Sequence, residues 1–227
     1  MHLNDVVRLA AMGEGLCIEF KKKVPTAERL SKEAIALANT EGGYILVGVE
    51  DNGQVTGVRD ALEEEYVARG ALDAHCDPLL HYTTERVRVT PKREVLVINI
   101  PKSDRRPHFL RDEQGQRGVA YVRVDASSIE ASREAVRLLR LREQEERVTF
   151  QFGHKEQLLM RYLDQYGRIT VTQFAEMAGI PTRNASQTLV LLTRANVLRL
   201  HYDTRADFFT LVAPTEPARP ALPKART

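Results

Sequence analysis

The chain has 227 residues, 43% hydrophobic and 28% charged, with a formal net charge of +2. This suits one large domain, or a medium domain plus a small one, and excludes a protein that is basic throughout. Two cysteines, Cys17 and Cys76, are too few for a disulfide framework or a four-ligand zinc site. Together with the lack of a signal-peptide pattern or an apolar run near the roughly 20 residues of a membrane span, they predict a cytoplasmic protein with no membrane partner.

In chain order, residues 3–13 read as a short helix leading into a strand at 16–21. Thr26 caps a helix in which Leu30, Ala34, Leu37 and Ala38 recur at helical spacing, and Gly42-Gly43 ends it. Tyr44 to Val49 is a buried-strand candidate; Asn52-Gly53 predicts a tight turn, with Gln54 to Val58 returning. A helix over 60–76 follows, then strands near 82–90 and 94–100. Pro101 to Gln116 reads as a polar loop, Ala120 to Val124 as a strand, and 127–147 as a long charged helix.

The character changes near Thr149. Helices are predicted at 155–165, stopped by Gly167, at 172–178, stopped by Gly179, and from Thr182 to about Asn196, with a short β element (ITV) between the first two. Two strand-like runs, VLRLHY and DFFTL, then flank a polar turn. Three helices and a terminal hairpin predict a winged helix-turn-helix domain over 148–213. The tail at 214–227, with four prolines, is expected to be disordered. The fold class is therefore α+β over 1–147, a mixed sheet with flanking helices, followed by the winged helix.

Charge is unevenly spread. Lys102 to Arg123 holds six Lys or Arg against three Asp or Glu, and Lys21, Lys22 and Lys23 are consecutive. Such local positive surfaces suit a polyanion, although lysine runs are also commonly just solvated. The segment EGLCIEFKKK places Leu16, Ile18 and Phe20 on one strand face and Cys17, Glu19 and Lys21 on the other. Glu19 and Lys21 could form a plain ion pair on a solvated sheet. Asp51, in Asp-Asn-Gly, is a stock turn former, and Glu14 could be an exposed loop acid.

The stretches EGLCIEFK, ALANTEGGYILVGVEDNGQVTGV and VLVINIPKSDRRPHF, followed by AYVRVDASSIEAS, occur in this order. Over about residues 13–135 the series resembles the divergent Alba domain of the Schlafen family in its small prokaryotic form, whose members often carry a winged helix behind it. The resemblance implies nucleic-acid binding. In nuclease members it also implies divalent-metal-dependent cleavage of structured RNA, especially tRNA. The three acidic positions of that motif fall on Glu14, Glu19 and Asp51, which would hold Mg²⁺ or Mn²⁺, and the motif lysine falls on Lys21, which would contact phosphate. Carboxylate-held metal ions stabilise charge on the attacking and leaving oxygens of a phosphodiester.

Candidate nucleic-acid contacts are Lys22, Lys23, Arg105, Arg106, Arg111 and Arg123 in the first domain. In the winged helix they are Arg183, Asn184 and Gln187, near the start of the third helix, and Arg205 on the wing. The partner is structured RNA such as tRNA, or duplex DNA. Two functions remain open: a metal-dependent endoribonuclease, and a non-enzymatic transcription regulator that reads DNA through its winged helix. A homodimer is expected on size grounds, since one small Alba-like domain offers only half a groove for folded RNA. Nothing resembles a phosphate-cradling loop, since the Gly pair lacks G-K-[ST] and leads into a strand.

Overall fold

The computed structural model describes residues 1–112, 114–141 and 152–212. They group into two compact units: residues up to 141, with 202–207, in the first, and residues 152–201 and 208–212 in the second. The boundary expected near 147 and the tail from 214 lie outside the described residues.

The first unit runs α1 (Leu3–Met12), β1 (Ile18–Lys21), α2 (Ala27–Asn39), β2 (Gly42–Val47), α3 (Ala61–His75) and β3 (Cys76–Asp77). It continues through β4 (Thr83–Thr90), β5 (Arg93–Pro101), β6 (Phe109–Arg111), β7 (Arg117–Val124), β8 (Ser127–Glu130) and α4 (Arg133–Leu141). Two four-stranded sheets result. One is mixed, in the order β1-β2-β5-β4, with β1 parallel to β2 and the other pairs antiparallel. The other is antiparallel, β3-β6-β7-β8.

Helix α2 packs against strands of both sheets. Leu30, Ser31 and every residue from Ala34 to Asn39 are buried. A helix enclosed on nearly all sides must be apolar nearly all round, and Ala34, Ala36 and Ala38 keep it thin where strands approach. Its start is capped as expected, the Thr26 hydroxyl accepting from the Arg29 amide at 3.4 Å. Past its end, Gly43 brings β2 so close to the preceding segment that a Cβ there would lie 2.1 Å from the Cys17 carbonyl oxygen. The glycine pair thus serves close backbone approach.

The mixed sheet has a core on each face. Ile45 and Val47 join α2 and α3, whereas Leu46 joins Ile18, Phe20, Val87, Val95 and Val97 beneath Val6 and Ala10 of α1. Strand alternation in β1 therefore holds, but its polar face points into the protein and not to water.

Four expectations are corrected. The first strand begins at Ile18, and Leu16 is 40% exposed. The reason is local: the Gly15 amide bonds to the Ile18 carbonyl at 3.0 Å, closing a turn before pairing can start. The return over 54–58 is only two isolated bridges, Val49 to Val55 and Val58 to Glu94, since the Asn52 side chain holds a tight turn on the Gln54 amide. The supposed loop at 101–116 contains β6, paired with β3 and β7. The supposed helix from 127 opens as strand β8, because a turn with Asp125 at φ 50° folds Ser127–Glu130 back on Tyr121–Val124. The helix proper starts after Ser132, whose hydroxyl accepts from the Ala135 amide at 3.1 Å. Its expected last residues lie outside the described ones.

The second unit comprises α5 (His154–Tyr166), α6 (Val171–Ala178), α7 (Thr182–Arg194), and the antiparallel pair β9 (Leu198–His201) and β10 (Phe208–Leu211). Gly167 and Gly179, both left-handed, end α5 and α6 where the sequence predicts. Leu159, Leu163, Phe174, Leu189, Leu192 and Phe209 form its core, and Ile169 bridges to Phe209 with amide–carbonyl bonds of 3.0 and 2.8 Å.

Candidate functional site

Glu19 sits at the centre of the first unit's polar interior. It is 5% exposed, and one of its oxygens, Oε1, accepts from the Lys21 ammonium. Its other oxygen, Oε2, lies 2.8 Å from Nη2 of Arg123. Arg123 comes from β7 in the opposite sheet, and its side chain has no exposed surface. Its Nη1 donates to Glu33 of α2 at 2.9 Å and to the Ser128 hydroxyl at 3.1 Å. Nε and Nη2 donate to the Gly15 carbonyl at 3.3 and 2.8 Å, and Nη2 also to the Ile18 carbonyl at 3.3 Å.

The result is a neutral hub of two carboxylates and two cations that ties together the 13–18 turn, β1, α2, β7 and β8. Because Nη2 aims at backbone carbonyls, Oε2 of Glu19 receives charge from Arg123 without a directed hydrogen bond. Ion pairing, not solvent, is what makes a buried carboxylate tolerable here.

The expected metal ligands do not fit a cation in this arrangement. Glu14 is exposed and its Oε1 accepts from the Phe20 amide at 2.9 Å. Asp51 is exposed in the turn after β2, beside the Lys22–Glu50 ion pair of 2.8 Å. Among the described residues no group of three or more His, Cys, Asp or Glu side chains is arranged to hold a metal ion. An ion approaching Glu19 would meet a guanidinium and an ammonium already in contact with it, and like charges at that range repel strongly.

The structure also corrects Arg123 as a nucleic-acid contact: a fully buried guanidinium with several protein acceptors cannot reach a phosphate. Lys21 is largely buried, at 11% side-chain exposure, with its ammonium on Glu19. Lys22 and Lys23 are exposed, Lys22 paired with Glu50. Sequence reasoning missed Glu33, a single acid on a helix whose neighbours gave no sign that it faces inward.

A second buried network secures the loop after β5. The Asn39 amide nitrogen donates to the carbonyls of His108 and Tyr121, both at 2.9 Å, and its oxygen accepts from the His108 amide at 2.8 Å. The His108 ring, 1% exposed, contacts the Pro78 carbonyl at 2.8 Å through Nδ1 and the Ser103 hydroxyl at 2.6 Å through Nε2. Only Nδ1–H can serve the carbonyl, so Nε2 is left to accept from Ser103 in the neutral ring.

Burial pushes His108 below its ordinary value. The Pro78 carbonyl opposes this, Arg105 and Arg106 add to it, and Asp77 opposes it. The unfolded chain then binds a proton that the folded chain resists, so stability falls as pH drops below the unfolded value of about 6.5 towards the lower folded value. The thermal midpoint is expected to be flat above that point and to decline as the pH falls below about 6.5. His108→Gln should flatten the part of the decline that this ring causes, measured by calorimetry across that range.

In the second unit, α7 separates its faces as the sequence predicts. Ala185, Leu189 and Leu192 are buried, and Arg183, Asn184 and Gln187 are exposed near its start. Leu191 is half-buried. Pro181 precedes the helix without a side-chain cap. Arg205 is exposed between β9 and β10, and Arg168 stands 5.4 Å over the Phe208 ring. Arg105 is exposed and Arg106 half-exposed in the 101–108 loop, with Arg111 on β6.

Two sheets around a buried helix, joined by an internal carboxylate–arginine hub, make the first unit an α+β domain. The Schlafen, AlbA_2 family matches residues 14–132, slightly more than half of the chain, and the chain belongs to that family. Among solved structures it is similar to the N-terminal domain of a RecG-related protein of Nitrosomonas europaea. Identity there is 21% and the TM-score 0.40, over 66% of this chain and 95% of the other. It is also similar to the DIP2311 protein of Corynebacterium diphtheriae, at 20% identity and TM-score 0.39, covering 58% of this chain and 30% of that one. No helix among the described residues is long and apolar enough to cross a membrane.

Proposed function

We propose that the chain is a nucleic-acid-binding protein whose second unit works as a winged helix, presenting the start of α7 to a duplex groove. The observation that carries this is the exposed Arg183, Asn184 and Gln187 face, opposite a face that is buried. Arg, Asn and Gln offer the paired donors and acceptors that base edges require, and an uncapped helix start leaves amides for a phosphate. Membership of the Schlafen, AlbA_2 family supports a nucleic acid as partner. Fluorescence anisotropy against a panel of duplexes tests it. Arg183→Ala with Gln187→Ala is expected to weaken the preferred duplex about 10- to 100-fold and to narrow its margin over the others. Equal affinity of variant and parent for every duplex would count against it.

The second reading is a metal-dependent endoribonuclease on structured RNA such as tRNA, with Mg²⁺ or Mn²⁺. Its support is that all three acidic motif positions are filled and that the Glu14 carboxylate bonds the amide next to Glu19. It would require the Glu19 pairs with Lys21 and Arg123 to give way. Incubating tRNA with the protein and Mn²⁺ separates the two: the binding reading expects intact RNA, whereas cleavage that is lost in Glu19→Gln selects the nuclease. Self-association into a homodimer is part of either reading, and sedimentation of the full chain reads it directly.

A further inference from the structure

The segment around β6 carries charge that neither α7 nor the buried hub uses. Arg111 and Arg117 are register partners on β6 and β7. Both lie against one carboxylate, Asp77 of the edge strand β3, at 3.8 and 2.6 Å. The guanidinium carbons of Arg117 and Arg140 stand 4.8 and 5.8 Å from the Phe109 ring centroid, so α4 adds a third cation to the same neighbourhood. Arg105 and Arg106 both act on the His108 ring, which contacts the carbonyl of Pro78 beside Asp77. Among the described residues, Asp77 is the one carboxylate ion-paired with any of these five arginines.

Their donors are also incompletely used. Nε of Arg111, and Nε and Nη1 of Arg106, are buried N–H groups with no acceptor among the described residues. The guanidinium surface that a ligand can reach is that of Arg117, 53% exposed, and Arg111, 37% exposed, with the exposed Arg105 and Arg140. The planar guanidinium fork matches two phosphate oxygens. Phe109, at 7% exposure, is too covered to stack on a base. What these residues offer is positive charge and directed guanidinium donors, with no exposed ring among them to stack on a base.

We infer that Arg105, Arg106, Arg111, Arg117 and Arg140 form a sequence-independent site for a phosphodiester backbone on the first unit. This rests on the nucleic-acid reading above and adds a second contact surface to it. It gives α7 the discrimination between sequences and the arginine belt a share of the affinity common to all of them.

The test uses the full chain, a labelled DNA duplex of arbitrary sequence and a labelled tRNA, titrated at several salt concentrations. Each phosphate contact contributes about 0.9 to the slope of log affinity against log salt on B-DNA, and about 0.7 on single strands. Arg105→Gln with Arg117→Gln and Arg140→Gln should therefore lower the slope by about 2–3, equally for every duplex sequence. Should that variant fold poorly by circular dichroism, Arg105→Gln with Arg140→Gln should lower the slope by about 2. Neither residue is in an ion pair among the described residues. Parent binding with an unchanged slope in the folded variant overturns the belt and leaves the α7 reading standing. No parent binding to either probe at low salt overturns both. The two probes show whether the site favours the RNA or the DNA backbone.

Discussion

Arg123→Ala should be the most damaging single substitution in the first unit, costing about 3–5 kcal/mol in denaturant unfolding of the full chain. The change deletes a partner of the buried Glu19 and the half-buried Glu33, and three hydrogen bonds to the Gly15 and Ile18 carbonyls. Each carboxylate must then take up a proton or admit water, and the 13–18 turn loses its anchor to β7. Arg123→Lys keeps the charge but not the fork, and should recover only part of the loss, because one ammonium cannot meet Glu33 and the Gly15 carbonyl together. A cost below about 1 kcal/mol for Arg123→Ala, the range of a surface pair, would mean that the hub does not hold the sheets together.

Asn39→Ala should be nearly as harmful, by about 3 kcal/mol or more, since it strands three buried backbone groups at about 1–3 kcal/mol each. Those groups are the His108 amide and carbonyl and the Tyr121 carbonyl. Asn39→Asp separates the roles of the amide: the Oδ1 acceptor for the His108 amide survives, while the donor to both carbonyls becomes a repelling oxygen. It should be no better than alanine. Thermal melts of the two variants check this, and near-parent stability in either would show that the loop after β5 is held by packing alone. Loss of order there would also move Arg105 and Arg106, so Asn39→Ala should lower the salt slope of nucleic-acid binding along with stability.

How much of this was legible in the sequence depends on whether a residue's partners are near in the chain. The Thr26 cap, the glycine stops of α5 and α6 and the split faces of α7 are set by local geometry, and the periodicity of Ala185, Leu189 and Leu192 marks those faces. The alternation of Ile18 and Phe20 against Glu19 and Lys21 was legible too, but not that a second sheet covers the polar face. That covering comes from β7, about a hundred residues on, and it turns Arg123 from an expected phosphate contact into an interior strut. The strand β8 was hidden inside an amphipathic charged run, because only the reversal at Asp125 reveals that Ser127–Glu130 pairs backward. Arg140 and Glu33 acquire their roles from neighbours in space, and nothing beside them in the chain marks either one.

The most direct test of the central claim is an anisotropy titration of the full chain with labelled duplex DNA and labelled tRNA at about 50 and 200 mM salt. Saturable binding to at least one of them is expected at the lower salt, weakening at least tenfold at the higher. Absence of binding at the lower salt, by protein that melts as a folded chain, would contradict it.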